Sequence, residues 1–398
     1  MRLPSAQLSI VLVSLLSACS ANSGTAVTPG QPSLQPAHRT SPMSAYDVLH
    51  SFGGGYGSFS DGSEPHASLV HLDGTLYGTT VHGGSSQLGT VYRLTTAGAE
   101  ETLHSFSGGS DGDIPYAGLV SVNGALYGTT AYGGASALGT VYRIGTDGTV
   151  EVLHSFSGGS DGDRPYASLI DVNGMLYGTT VYGGTSGHGT VYSIGTDGTE
   201  KVLHSFAGGS DGDYPDAALL HVNGVLYGTT AYGGTSGGGT VYRITTNGVE
   251  KVLRSFTGGF DGAEPHAALI DVNGKLYGTT EFGGTSGAGT VYFIHTDGAE
   301  KVLHSFAGGS DGSYPNAALV DVNGTMYGTT LFGGAFNHGS AYSIRTNGAE
   351  KVLHSFEGFS AGDGAAPYAA LIDVNGTLYG TTSAGGGVDG GTAFALTP

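Results

Sequence analysis

The sequence has little that could stabilise it covalently and little that could bind a polyanion. Its 398 residues include one cysteine, Cys19, and no tryptophan. An internal disulfide is therefore excluded, and stability must come from packing. The 13 Lys and Arg residues are outnumbered by 32 Asp and Glu residues, for a formal net charge of -19. Such a chain cannot easily form the basic patch that binds phosphate backbones, so we expect no nucleic-acid partner.

Long apolar runs are also missing. The run from Leu8 to Leu16 follows Arg2 and is too short to span a bilayer in a mature protein, so it predicts a signal peptide at residues 1–18. It ends in Leu16-Ser17-Ala18-Cys19, which resembles the lipobox of bacterial lipoproteins. That resemblance implies cleavage before Cys19 and lipidation of this cysteine, with several acyl chains forming a durable anchor. An ordinary secretory signal with an incidental cysteine is the alternative.

Residues 19–45 are rich in Ser, Thr, Pro, Ala and Gly, which is typical of a flexible tether behind the lipidated cysteine. Ser20, rather than an aspartate, follows Cys19 and by the same resemblance implies delivery to an outer membrane. We therefore expect a monomeric cell-envelope lipoprotein that contacts the membrane through its lipid.

Seven repeats of about 50 residues fill the rest of the chain. The tetrad Leu-Tyr-Gly-Thr, or Met-Tyr-Gly-Thr in the sixth copy, begins at Leu76, Leu126, Leu176, Leu226, Leu276, Met326 and Leu378. Seven copies of Leu-His-Ser-Phe begin at Leu49, Leu103, Leu153, Leu203, Leu253, Leu303 and Leu353, with Arg254 replacing one histidine. A period near 50 indicates a propeller or a linear array.

Each repeat contains four strand-like runs, which we name a, b, c and d. In the third repeat they cover residues 167–172, 175–182, 189–194 and 200–206. Asn173-Gly174 joins a to b, and pairs such as Asp147-Gly148 join c to d, which predicts tight type I′ hairpins at both turns. The b–c and d–a loops are longer. Four antiparallel strands with one long outgoing loop are typical of a propeller blade.

The two ends of the repeat region complement each other. The region starts with a lone d strand at 47–52 and ends with a, b and c, finishing at 391–396. We therefore predict an all-β fold over residues 46–398, a seven-bladed β-propeller of four-stranded antiparallel blades. The N-terminal strand completes the last blade, so no open edge is left. A linear solenoid would need capping repeats, and none is visible.

The a–b segment, as at residues 317–327 followed by Gly333-Gly334, resembles a degenerate kelch repeat. The full pattern is Leu176-Tyr177-Gly178-Thr179-Thr180, then Gly183-Gly184, then Gly189-Thr190-Val191-Tyr192. It resembles the GloVer (Gloeo/Verruco) tandem repeat of bacterial secreted proteins across residues 48–396. This resemblance implies export to the bacterial surface and no established activity. The repeats lack the kelch tryptophan, so kelch function is not transferred.

Most positions that are constant between repeats are explained by packing. We expect the strand-b tyrosines and strand-d phenylalanines to lie between blades, and Gly78 and its equivalents to allow a close approach. The strand-d histidines are His50, His104, His154, His204, His304 and His354. They belong to different blades, too far apart to share one metal, so we expect structural roles. We interpret the Asp-Gly pairs of the d–a loops as turns in preference to calcium sites. No metal or cofactor is expected.

The positions that vary between repeats are better candidates for function. They flank the loop proline and precede the Gly-Gly of the b–c loop, and in a propeller both loops lie on one face. The candidates are His66, His82, Tyr116, Tyr132, Arg164, Tyr166, Tyr182, Tyr214, Tyr232, Phe282, Tyr314 and Phe332. Aromatic rings beside hydrogen-bonding groups suit a sugar or a peptide. Neutral drift on solvated loops is the alternative.

No catalytic motif is present, and an enzyme would need asymmetric residues at one place. Glu64, Arg164, Glu264, His266 and Glu281 are the candidates for such a site. We interpret the chain as a non-catalytic module for a glycan or protein ligand. A glycan hydrolase or lyase on the same scaffold is one alternative, and a structural surface protein is another. Acids with raised pKa in one pocket would favour the enzyme.

Overall fold

The computed structural model describes residues 45–53 and 60–398. The expected signal peptide at 1–18, Cys19 and the expected tether up to residue 44 lie outside the described residues. Seven four-stranded antiparallel sheets are present in the described chain, which confirms the seven-bladed propeller. In the part of the chain described, no helix is long and apolar enough to span a bilayer.

Blades 1 to 7 follow chain order, and within each blade the strands are hydrogen-bonded in the order a-b-c-d. Strands a are Val70–Leu72, Val120–Val122, Ile170–Val172, Leu220–Val222, Ile270–Val272, Val320–Val322 and Ile372–Val374. Strands b are Thr75–Thr80, Ala125–Thr130, Met175–Thr180, Val225–Thr230, Lys275–Thr280, Thr325–Thr330 and Thr377–Thr382. Strands c are Thr90–Thr95, Thr140–Ile144, Thr190–Gly195, Thr240–Thr245, Thr290–Ile294, Ser340–Arg345 and Thr392–Leu396. Strands d are Glu100–Ser105, Val150–Ser155, Glu200–Ser205, Glu250–Ser255, Glu300–Ser305, Glu350–Ser355 and, in blade 7, Tyr46–Ser51.

Short elements occupy several of the loops. Single 3₁₀ turns are found at Gly109–Asp111, Gly159–Asp161, Gly209–Asp211, Gly309–Asp311 and Phe359–Ala361. The loops of blade 7 also contain a two-residue ladder between Gly364–Ala365 and Ala384–Gly385.

The two hairpin turns differ, although their dipeptides look alike. Asn173 and Gly174 have φ values of 56° and 85°, so the predicted type I′ turn between a and b is confirmed. In the c–d turn, Gly148 has a φ of 83°, but Asp147 is not among the positive-φ residues. The Asp147 Oδ1 instead accepts a hydrogen bond from the Thr149 amide at 3.0 Å. The type I′ prediction was wrong here, because the aspartate side chain organises an ordinary turn that ends in a left-handed glycine.

Each c–d turn also contacts strand d of the preceding blade, as a β-bulge at Leu203 in blade 3 shows. Val191 pairs with His204 and Tyr192 with Val202, so Leu203 is skipped in the ladder. Gly248, in the c–d turn of the next blade, lies against the Leu203 carbonyl; a Cβ at Gly248 would be 2.5 Å from that oxygen. The glycine is therefore needed for the approach of two backbones as well as for its positive φ.

The hydrophobic core lies between blades. One typical cluster consists of Tyr177, Val191 and Phe206 from blade 3 with Leu219, Leu226, Tyr242 and Ile244 from blade 4. This confirms that the strand-b tyrosine and strand-d phenylalanine pack between blades. The expected close approach also occurs, since a Cβ at Gly178 would be 2.6 Å from the Tyr192 hydroxyl oxygen.

Hydrogen bonds join the inner parts of the blades. The Thr179 hydroxyl donates to the Ala217 carbonyl of the next blade at 3.3 Å, and an equivalent bond to an alanine carbonyl occurs at every junction. The carbonyl of Ala167 accepts such a bond from Thr129. Strand a consequently begins at Ile170 rather than at residue 167 as expected, because the preceding segment bonds to the neighbouring blade.

The ring closes as the sequence predicts. Tyr46–Ser51 pairs antiparallel with Thr392–Leu396, with Tyr46 opposite Leu396 and Ser51 opposite Thr392. Phe52 is fully buried in the cluster shared by blades 7 and 1. The N-terminal strand is therefore strand d of the last blade.

We predict that removal of residues 46–52 destabilises the propeller far more than removal of residues 21–40. Loss of the Phe52 ring alone should cost at least about 3 kcal/mol, and the deletion also exposes the edge of Thr392–Leu396. Thermal unfolding followed by circular dichroism tests this, with the 21–40 deletion as the matched control. Equal melting temperatures for the two deletions would contradict the closure.

Candidate ligand-binding face

The d–a and b–c loops form one face of the propeller. Within blade 3, the amide of Tyr182 donates to the Asp163 carbonyl at 3.1 Å. The amide of Arg164 donates at 3.0 Å to the carbonyl of Leu138, in the b–c loop of the preceding blade. Each d–a loop is thus held by two b–c loops, and the twelve sequence candidates share this face.

The residue before each loop proline has a left-handed backbone. The φ values are 56° at Glu64, 56° at Ile114, 57° at Arg164, 64° at Tyr214, 56° at Glu264, 59° at Tyr314 and 52° at Ala366. This conformation is uncommon for residues other than glycine, and a residue before proline usually prefers the extended region. In blade 3 it is held because the Arg164 carbonyl also accepts from the Val181 amide at 3.1 Å.

Four of these seven positions contribute to a row of side chains that we name the outer arc. It consists of Tyr132, Arg164, Tyr182, Tyr214, Tyr232, Glu264, Phe282, Tyr314 and Phe332. The Arg164 guanidinium carbon is 5.1 Å from the ring centre of Tyr132 and 4.9 Å from that of Tyr182. The Tyr214 ring lies 5.4 Å from Tyr182 and 5.6 Å from Tyr232.

The same pattern continues in blades 5 and 6. Tyr314 lies between Phe282, at 5.2 Å, and Phe332, at 5.9 Å. In blade 5 a carboxylate takes the corresponding place. Burial, and then the charge of the nearby Glu264, raise the pKa of Tyr232 to about 12.

A second set of side chains surrounds the channel entrance, and we name it the mouth ring. Strands a of neighbouring blades are in contact, so they are the innermost strands. The residues that follow the loop prolines therefore lie at the entrance: His66, Tyr116, Tyr166, Asp216, His266, Asn316 and Tyr368.

One half of the mouth ring is aromatic. The His66 ring centre lies 4.6 Å from Tyr368 and 4.8 Å from Tyr116, and Tyr116 lies 5.3 Å from Tyr166. The Tyr132 and Tyr166 hydroxyl oxygens are 3.3 Å apart and connect the mouth ring to the outer arc. The aromatic half of the mouth ring therefore contacts the outer arc at Tyr132.

The other half of the mouth ring is charged. The His266 Nδ1 is 2.6 Å from the Asp216 Oδ2, and its Nε2 is 3.7 Å from Glu264 and 3.5 Å from Glu281. The Asn316 amide donates to Glu281 at 2.7 Å. The His266 side chain is 14% exposed and that of Glu264 is 29% exposed, so the cluster is open to solvent on one side.

The pKa shifts follow from this arrangement. Burial disfavours the imidazolium of His266, but the carboxylates of Asp216, Glu264 and Glu281 outweigh it and raise the His266 pKa well above its ordinary value. Burial also raises the pKa of Glu281. Burial, with charge from Asp216 and Glu281, raises the pKa of Tyr116, so the aromatic and charged halves influence each other across the entrance.

The sequence candidates are only partly brought together. Nine of the twelve belong to the outer arc or contact it, and Tyr116 and His66 extend the mouth ring. His82 instead lies 4.0 Å from Glu64, apart from the arc. The candidate list omitted Asp216 and Asn316 and treated Glu264, His266 and Glu281 only as possible enzyme residues. The sequence signal that could have identified them is that the positions after the loop proline are charged or amide residues in blades 4 to 6.

A different cluster lies at the outer junctions between blades. The His204 Nε2 is 3.2 Å from the Asp211 Oδ2, and Asp211 also accepts from the Ala207 amide at 2.7 Å, in agreement with a turn role for the aspartate. Glu250 from the next blade completes a group whose potential ligand atoms all lie within 4.8 Å of one another. Burial, and then Asp211, raises the Glu250 pKa to about 7.

Comparison with solved structures supports the fold. A putative 6-phosphogluconolactonase from Bacteroides uniformis shares 14% identity with a TM-score of 0.51, over 77% of this chain and 88% of that one. A puromycin-hydrolysing peptidase from Mycobacterium tuberculosis shares 10% identity with a TM-score of 0.52, over 81% of this chain. This chain spans 51% of that peptidase. At these identities the likeness shows the propeller fold alone.

The sequence comparisons identify the family. None of the curated proteins matches the chain. The family model described as the Gloeobacter/Verrucomicrobia repeat matches residues 34–237 and 214–398, which together cover the whole propeller. The chain therefore belongs to the Gloeobacter/Verrucomicrobia repeat family.

Proposed function

We propose that this protein binds an extended, neutral glycan on its loop face. The observation that carries the proposal is the outer arc, in which aromatic rings follow one another from blade 2 to blade 6 beside a charged half of the mouth ring. Sugar rings stack on aromatic faces, and their hydroxyls bond to carboxylates and amides. The arc supplies the former, and Glu264, Glu281 and Asn316 supply the latter.

The negative charge of this face restricts the class of glycan that it can bind. Three carboxylates surround the His266 imidazole at the entrance, and the chain as a whole has a net charge of -19. A polyanionic glycan would meet repulsion on approach. We therefore expect uncharged oligosaccharides to bind in preference to uronic-acid polymers.

We predict that Tyr182→Ala and Tyr232→Ala each weaken glycan binding about fivefold, because each removes a stacking contact of about 1 kcal/mol. A glycan array on the purified protein identifies the ligand, and calorimetry then measures the variants. Met175→Ala is the matched control, since Met175 is 39% exposed at the opposite end of the strand that leads to Tyr182. Equal losses in all three variants would count against a binding site on the arc.

A second candidate function is glycan hydrolysis, favoured by the two carboxylates beside His266. Because the Glu264 and Glu281 oxygens both lie within 3.7 Å of one nitrogen, they are separated by at most twice that distance. Glycosidase carboxyl pairs are about 5 to 9.5 Å apart. Release of reducing ends from a bound glycan, lost in Glu281→Gln, would establish hydrolysis; a glycan recovered intact would leave a binding protein.

We predict that His266 stays protonated well above pH 6.5, the ordinary midpoint of a histidine. Its folded pKa is raised, so the stability gained from its carboxylate partners is present below about pH 6.5 and is lost as the pH rises through the folded pKa. NMR titration of the imidazole tests this. Asp216→Asn should lower the midpoint, whereas Asp213→Asn should not, because Asp213 pairs with His188. A midpoint near 6.5 in the unmodified protein would refute the charged cluster.

We further propose that Cys19 is the lipidated N-terminus of the mature protein and anchors it in the outer membrane. The support is the match of Leu16-Ser17-Ala18-Cys19 to the lipobox and the tether-like composition that follows. We predict that mass spectrometry of the membrane fraction detects acylated Cys19, and that Cys19→Ser moves the protein to the soluble fraction. An unmodified cysteine, or cleavage elsewhere, would contradict the anchor.

A further inference from the structure

A histidine, an aspartate and a glutamate converge at four blade junctions within the described part of the chain. The groups are His50/Asp61/Glu100, His154/Asp161/Glu200, His204/Asp211/Glu250 and His304/Asp311/Glu350. In each group the histidine lies on strand d of one blade, and the glutamate begins strand d of the next. Each group therefore bridges the outermost strands of two blades, and its aspartate belongs to the d–a loop between them.

The glutamates of three of these groups are incompletely satisfied by the protein, whereas the Glu100 Oε1 accepts a hydrogen bond from the Thr102 hydroxyl at 3.1 Å. The buried Oε1 atoms of Glu200, Glu250 and Glu350 have no hydrogen-bond partner among residues 45–53 and 60–398. Burying a carboxylate oxygen without a partner is unfavourable, and a second carboxylate beside it adds repulsion. A cation between the two acids would remove both penalties.

The repeat itself contains an informative substitution at the junction of blades 4 and 5. Arg254 replaces the histidine there, and its Nη2 lies 2.7 Å from the Asp261 Oδ2 and 3.3 Å from the Glu300 Oε2. The Glu300 side chain is only 7% exposed. Where the protein supplies its own cation, that cation contacts one oxygen of each carboxylate, while the Glu300 Oε1 has no hydrogen-bond partner in the described part of the chain.

Two further junctions lack the glutamate. Val150 occupies its place opposite His104 and Asp111, and Tyr46 occupies it opposite His354 and Asp363. The Tyr46 hydroxyl bonds to Asp363 directly, so this junction is completed by the protein. The seven junctions thus provide four complete groups and three natural variants.

We propose that the four complete groups bind Zn²⁺, ligated by the histidine Nε2 and one oxygen from each acid, with a water as the fourth ligand. Two ligands of a tetrahedral zinc lie about 3.3 Å apart. The His Nε2–Asp distances are 3.0, 3.1, 3.2 and 3.2 Å. The nitrogen ligand favours zinc over calcium, which takes six to eight oxygens. Because each ion joins adjacent blades, zinc reinforces the ring.

The test is the zinc stoichiometry of the untagged full chain, stripped with chelator, loaded with zinc sulfate and dialysed before elemental analysis. We expect four zinc ions per chain. Glu250→Gln should reduce this to three, and Val150→Glu should raise it to five by completing the group of His104 and Asp111. Val249→Glu, at a position that is 64% exposed, is the matched control and should leave the count at four.

The proposal also predicts the visible absorption of tetrahedral Co²⁺ when cobalt replaces zinc. Absence of bound zinc would overturn the proposal. A count unchanged in both Glu250→Gln and Val150→Glu would also overturn it, as would a count of six, which would mean that each histidine–aspartate pair suffices. If Glu250→Gln fails to fold, Val150→Glu decides the question alone, because it adds a ligand and removes none.

Discussion

Every blade of this propeller depends on its neighbours for burial. A four-stranded sheet of 20 or so residues cannot cover both of its faces, so each hydrophobic cluster draws side chains from two consecutive blades. The requirement is cyclic and is satisfied only if the last blade meets the first. Pairing between Tyr46–Ser51 and Thr392–Leu396 satisfies it, and each of the seven blade junctions then contains its own hydrophobic cluster. The hydrogen bonds of the inner threonines recur at the blade junctions. The backbone contacts of Leu203 and its equivalents recur there too, at the outer strands.

Because these contacts hold the blades together, the side chains of the loop face can differ from one blade to the next. The backbone bonds that hold Arg164 in its left-handed conformation recur at Glu264 and Tyr314, three side chains with different chemistry. The repeated backbone places each side chain between the b–c loops of two blades, and the identity of the residue then decides the local contact. An arginine lies between two tyrosines, a tyrosine lies between two phenylalanines, and a glutamate approaches a histidine.

The fold could be predicted well from the sequence because the same strand and turn pattern occurs seven times, so that each copy supports the interpretation of the others. Strand count, closure and the packing roles of Tyr177 and Phe206 all followed from position within the repeat. Contacts between side chains of different repeats are harder to predict from the sequence, because they depend on how the blades twist against each other. Asp216 and His266 are 50 residues apart, and only the ring geometry brings them to 2.6 Å. The distinction between the two hairpin turns was also missed, because Asp147 and Asn173 both precede glycine, and the sequence does not show that the Asp147 side chain accepts from the Thr149 amide.

The direction of the first strand has a consequence for orientation. Tyr46 lies opposite Leu396, at the end of the blade that carries the c–d turns elsewhere, and Ser51 lies opposite Thr392, at the loop-face end. The chain therefore enters the propeller on the side remote from the d–a and b–c loops, where the Thr397 amide bonds to the Ala45 carbonyl. Any attachment that acts through the N-terminus pulls on that side. The aromatic arc and the charged entrance lie at the opposite end of the blades, so they point away from the place where the chain enters the propeller.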